Sequence, residues 1–216
     1  MHDLFAASSE TFRPIFGVGS DGPSTLPARR ARRRHAQIGP ARTDRLFLAV
    51  LPDSETASRI AQVARHLRIG HGLTGKPLKP EHFHVTLFHV GDGSGLPSGF
   101  AESVTERAAS VVMPSFRVSF DRALSFRNGA LVLSGDESVI GLEVLQQRLS
   151  DAFDGRPQPA RRFTPHLTLL RDGHRIPEQP IEPISWTVRE VVLVHSLLGR
   201  TTHRHLARLP LGAQPN

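Results

Sequence analysis

Lys79-Pro80-Glu81-His82-Phe83-His84-Val85-Thr86-Leu87-Phe88 and Phe163-Thr164-Pro165-His166-Leu167-Thr168-Leu169-Leu170-Arg171 carry the same pattern, His-apolar-Thr-Leu. In an extended strand, side chains two residues apart share a face. His84 therefore stands beside Thr86, and His166 beside Thr168, while Val85, Leu87, Leu167 and Leu169 turn toward a core. The histidines lie 82 residues apart in matching halves of the chain. The repeat predicts a pseudo-symmetric cleft with two imidazoles and two hydroxyls facing inward.

The flanks repeat as well. Residues 45–51 (Arg-Leu-Phe-Leu-Ala-Val-Leu) read as a buried strand. Pro52-Asp53-Ser54-Glu55 marks a helix start capped by Asp53 or Ser54, and Ile60, Val63, Ala64 and Leu67 carry a helix over 54–68. A strand over 83–90 and a helix over 98–112 follow. In the second half Phe116, Val118 and Phe120 alternate as a half-buried strand does. Arg127-Asn128-Gly129 signals a hairpin turn before Leu131-Val132-Leu133. Leu142, Leu145, Leu149 and Phe153 have helical spacing, and strands fit 163–170, 185–198 and 204–209. Strand–helix–strand thus occurs twice, which predicts an α+β fold of two related lobes.

Composition narrows the chemistry. The chain has 216 residues and no cysteine, so disulfides, thiolate nucleophiles and cysteine zinc sites are excluded. No apolar run reaches the roughly 20 residues that span a bilayer. The N-terminus has no apolar secretory segment, so the expectation is a soluble, cytoplasmic protein. The net charge is +7, carried almost wholly by Arg, since Lys76 and Lys79 are the only lysines. Arg suits phosphate because its planar fork bonds two oxygens, although codon usage in a GC-rich genome gives the same bias. Residues 1–43 hold seven Arg against three acids, a net +4. With the run Arg29-Arg30-Ala31-Arg32-Arg33-Arg34, they read as a disordered basic tail. The domain is expected over 44–211, followed by a short tail over 212–216.

Two imidazoles in one cleft suit phosphodiester chemistry. Their ordinary pKa near ~6.5 lets one be neutral and the other protonated at neutral pH. The neutral ring takes a proton from attacking water, and the protonated ring gives one to the leaving oxygen. Threonine hydroxyls can hold the phosphoryl oxygens as charge builds. No metal or cofactor is needed, and the His-x-Thr spacing is not that of a helical zinc site.

These segments, with Gly91 after the first and Arg171 after the second, resemble the 2H phosphoesterase family. The narrower likeness is to its RNA 2′,3′-cyclic phosphodiesterase, or 2′–5′ RNA ligase, branch, and it covers about residues 44–211. The resemblance implies a bilobal fold with two antiparallel sheets lining a central cleft and helices outside. It implies hydrolysis of RNA 2′,3′-cyclic phosphate ends to 2′-phosphomonoesters, with reversible 2′–5′ ligation in some members. The partner is then an RNA end, tRNA-like fragments included, met by a monomer. By motif match His84 is the proton donor and His166 the proton acceptor, while Thr86, Thr168 and Arg171 bind the substrate phosphate. Another cyclic or 2′–5′ linked nucleotide, or RNA binding without turnover, are the rival readings. His82 and His89 depart from the family pattern and read as structural or surface residues. His195, His203 and His205 have no assigned role, Phe83 and Phe163 read as core, and Arg161 and Arg162 read as a solvated loop or an RNA rim.

Overall fold

The computed structural model describes residues 12–14, 42–154, 163–200 and 202–212. Within it, β1 (Phe12–Pro14) precedes β2 (Asp44–Val50), α1 (Ser54–Gly70), β3 (Val85–Gly93) and α2 (Phe100–Ala109). Then come β4 (Phe116–Ser125), β5 (Ala130–Ser134), α3 (Ile140–Asp154), β6 (Leu167–Arg171), β7 (Gln179–Val188), β8 (Glu190–Leu197) and β9 (Thr202–Pro210). One antiparallel sheet has the order β1-β3-β2-β8-β9 and the other β6-β5-β4-β7.

Local signals explain most of these elements. Asp53 caps α1, its carboxylate accepting from Thr56 N at 2.8 Å and Thr56 Oγ1 at 3.0 Å. Ile60, Ala61, Ala64 and Leu67 form the buried face of that helix. Gly129 closes the β4–β5 hairpin at φ 80, a left-handed conformation that glycine adopts without steric cost. Strand β2 is buried on both faces: Leu46, Leu48 and Val50 enter the main core, and Phe47 and Ala49 join Val192 and Val194 on the other side.

Three expectations need correction. The single strand expected over 185–198 is two strands, β7 and β8, separated at Arg189. Pro180 and Pro183 concealed the start of β7. They are tolerated because β7 is an edge strand, paired with β4 alone. Residues 12–14, inside the segment read as a tail, form a strand on β3. Three residues paired through the backbone carry no periodicity to read. The rest of the tail up to residue 41 lies outside the described residues, as do 213–216 and the loop with Arg161 and Arg162. Finally, the lobes do not coincide with the halves of the chain, because β8 returns to pair with β2 and brings β9 into the first sheet.

The two strand–helix–strand units match in detail. β2 and β3 are antiparallel neighbours joined through α1, and β5 and β6 are antiparallel neighbours joined through α3. Each strand that carries a His-x-Thr motif has a register shift just after its threonine. Ala49 pairs with Thr86 and Leu48 with Phe88, while Val132 pairs with Thr168 and Leu131 with Leu170. Leu87 and Leu169 are thus the extra residues of equivalent bulges.

Candidate active site

His84 and His166 each stand one residue before a strand, β3 and β6, which come into contact from the two sheets. The backbone holds both rings in the same way. Nδ1 of His84 is 2.7 Å from the carbonyl oxygen of His82, and Nδ1 of His166 is 2.7 Å from that of Thr164. The carbonyl can only accept, so each Nδ1 carries the proton and each Nε2 is left for chemistry.

A cleft of about 500 Å³ lies between the lobes. All five residues singled out in the sequence line it: His84, Thr86, His166, Thr168 and Arg171. Arg171 follows Thr168 by three residues, and in a regular strand it would face away. The bulge at Leu169 reverses the alternation and returns it to the cleft.

Other residues of the cleft escaped the sequence reading. Arg45 and Phe47 line it from alternate positions on β2, and Ser196 and His203 come from β8 and β9. His82 is a buried ring 4.7 Å from the His203 ring and not a surface residue. His89 also lines the cleft, brought there by the bulge at Leu87. It is the counterpart of Arg171, each lying three residues beyond its threonine and opposite β2 or β5 at Phe47 or Ala130. A strict period of two conceals His89. His203 becomes a neighbour of His84 only through the pairing of β9 in the first sheet. Phe83 is buried in the core, and Phe163 packs against it, as read. His195 has a structural partner, its Nε2 lying 2.6 Å from buried Asp44 Oδ1.

The electrostatics of the cleft are uneven. Burial pushes the His84 pKa below its ordinary value, against the hydrogen bond to the His82 carbonyl, and the nearby charges of His166, His82 and His205 push it further down. His203 falls to about 4, again chiefly through burial, with His84, His82 and His205 adding to the effect. Phe47 packs against both rings, 5.0 Å from His84 and 5.9 Å from His203. Among the described residues no three His, Asp or Glu side chains are grouped to hold a metal ion.

One loop ties the lobes together beside the site. Leu78 N donates to Leu169 O at 2.8 Å. Asp172, next to Arg171, accepts from Thr74 N at 2.7 Å and Gly75 N at 2.6 Å through Oδ2, and from His174 N at 2.8 Å through Oδ1. These bonds hold its carboxyl below the usual range. The segment leading to His84 is thereby fastened to the end of the strand that follows His166.

Residues 40–200 match the 2'-5' RNA ligase superfamily. The chain belongs to that superfamily. The RNA 2',3'-cyclic phosphodiesterase of Escherichia coli K12 is 29% identical over 176 residues, covering 77% of this chain and 96% of that protein. The structure of E. coli LigT complexed with 3'-AMP aligns with a TM-score of 0.61 and 29% identity, over 80% of this chain and 99% of that one. A crystal structure described as a phosphoesterase aligns with a TM-score of 0.63 and 27% identity, over 78% and 98%. This kinship supports phosphoesterase activity and agrees with the two-sheet α+β architecture. No helix among the described residues is long and apolar enough to cross a membrane.

Proposed function

We propose that this superfamily member hydrolyses 2′,3′-cyclic phosphate ends of RNA to 2′-phosphomonoesters, without a metal ion. The observation that carries the reading is the matched pair of imidazoles, each with Nδ1 bonded to the carbonyl two residues earlier and Nε2 left over, across one cleft. The name of the E. coli relative supports the choice of substrate.

In this reading, water attacks phosphorus while His166 Nε2 accepts its proton. The bond from phosphorus to O3′ breaks, and His84 Nε2–H protonates O3′. The product keeps the phosphate on O2′ and gains one water in total. Thr86, Thr168 and Arg171 hold the non-bridging oxygens as charge develops. A donor must be protonated, yet His84 is pushed down in the free protein. An anionic phosphate in the cleft opposes that push by favouring the imidazolium. Substrate binding thus charges its own acid.

The protein acts in this reading as a cytoplasmic monomer, with the absence of cysteine fitting a reducing compartment. Reversible 2′–5′ ligation runs through the same two histidines. The test is incubation with an oligoribonucleotide ending in a 2′,3′-cyclic phosphate, in EDTA. The expected product gains one water and becomes phosphatase-sensitive. Undiminished turnover by His166→Ala would overturn the reading, and no turnover by wild type would redirect it to another cyclic or 2′–5′ linked nucleotide.

A further inference from the structure

Thr86, His89 and Asp92 stand three residues apart on β3, a spacing that a regular strand would scatter over both faces. Two register shifts bring them opposite Ala49, Phe47 and Arg45 of β2, which alternate and so share one face. The row advances roughly 7 Å per step, away from Thr86. At its far end Arg45 donates from Nε to Asp92 Oδ1 at 2.8 Å and from Nη2 to Oδ2 at 3.0 Å. His89 Nε2 lies 2.9 Å from the same Oδ1, and Arg42 Nη1 is 3.8 Å from Oδ2.

Asp92 is nearly buried, its side chain 10% exposed, and Arg45 first, then His89, bring its carboxyl to about 2 against the opposing effect of burial. It stays ionised and pins two basic side chains that border the cleft. The side-on grip uses Nε and Nη2 of Arg45 and leaves Nη1 outside the pair, on a side chain that is 46% exposed. Two guanidiniums face one carboxylate, so the flank remains positive. His89 is the pseudo-symmetric counterpart of Arg171. The proposed reaction at His84 and His166 does not use Arg45, His89 or Asp92.

We propose that Arg45 and His89, oriented by Asp92, form a second phosphate subsite for the nucleotide adjoining the cyclic phosphate end. The inference rests on the proposed reading of the cleft as a site for such ends. The rest of an RNA chain must leave the cleft along one wall, and this row supplies a pre-organised guanidinium and an imidazole on that wall. The same two side chains can take the 5′-phosphate of a mononucleotide. Asp92 acts as a positioning residue, holding the guanidinium and the imidazole.

The test compares three substrates: a nucleoside 2′,3′-cyclic phosphate, the same molecule bearing a 5′-phosphate, and a dinucleotide ending in a 2′,3′-cyclic phosphate. Wild type is expected to favour the dinucleotide over the first substrate by about tenfold in kcat/KM, mostly through KM, with the ratio shrinking as salt rises. Arg45→Gln should collapse that ratio, and Asp92→Asn should lower it. An equal preference for the 5′-phosphorylated mononucleotide would support the subsite and identify a terminal phosphate as its ligand. Equal losses on all three substrates in Arg45→Gln, or no preference in wild type, would overturn the subsite. Should Arg45→Gln not fold, Arg45→Lys, which keeps the charge and loses the two-point grip, is read in the same way.

If wild type turns over none of the three, the reaction reading fails, and the subsite is judged by binding alone. A dinucleotide ending in a 3′-phosphate is then compared with a nucleoside 3′-phosphate. Tighter dinucleotide binding that Arg45→Gln removes supports the subsite, and equal binding overturns it.

Discussion

His84 and His166 share one local device, a ring whose Nδ1 bonds to the carbonyl two residues back. In the proposed reaction, replacing either with Ala removes the proton donor or the proton acceptor, and kcat is expected to fall on the order of 10²–10⁴-fold while the melting temperature changes little. Rapid-quench or steady-state assays on a cyclic-phosphate oligonucleotide measure this. The lowered pKa of free His84 predicts a difference between two pH profiles. The alkaline limb of kcat/KM, which reports the free enzyme, should lie at lower pH than that of kcat, which reports the complex. Coincident limbs would contradict charging of the acid by bound phosphate. His203 supplies a stability effect. Its pKa is about 4 in the folded protein and near ~6.5 when unfolded, so the unfolded chain binds more protons between those values. Stability should therefore fall as pH drops from 6.5 toward 4, and His203→Gln should flatten part of that slope in thermal melts. The remainder includes His84 and His205, which shift in the same direction, and Asp44, Asp53, Asp92 and Asp172, whose lowered pKa values act toward still lower pH.

At the scale of elements, the bulges in β3 and β6 decide which residues see the cleft, and the Asp172 loop decides how the strands are joined. Gly75 is required there by close approach, since a Cβ would sit 2.1 Å from Arg171 O. Gly75→Ala is expected to cost about 1–3 kcal/mol, as overpacking does, and to lower kcat by shifting Arg171 and the segment leading to His84. Denaturant melts with parallel kinetics check both effects. Full activity and an unchanged midpoint would show that the loop does not brace the site. The element boundaries were readable where a cap or turn residue marked them, as at Asp53 and Gly129. They were not readable at β7, where edge-strand prolines imitate a loop.

For the whole molecule, the decisive feature is that the first sheet is assembled from both ends of the chain. A chain ending before Glu190 would strip β2 of its pairing with β8 and remove Val191–Val194 from the core. It is expected to lose cooperative unfolding, as followed by circular dichroism. Among the described residues, a chain beginning at residue 42 loses the short backbone pairing of β1, and its melting temperature is expected to stay within a few degrees. The sequence by itself determined the two strand–helix–strand units, the paired His-x-Thr strands and, by motif match, five residues that line the cleft, because alternation and motif repetition are local properties of the chain. Only the tertiary structure decided that β8 and β9 complete the first lobe, that His203 and His82 flank His84, and that Arg45, His89 and Asp92 form one row. Those contacts depend on sheet pairing over long separations and on bulges that reverse the period of two, and neither leaves a periodic trace in the residues that make it.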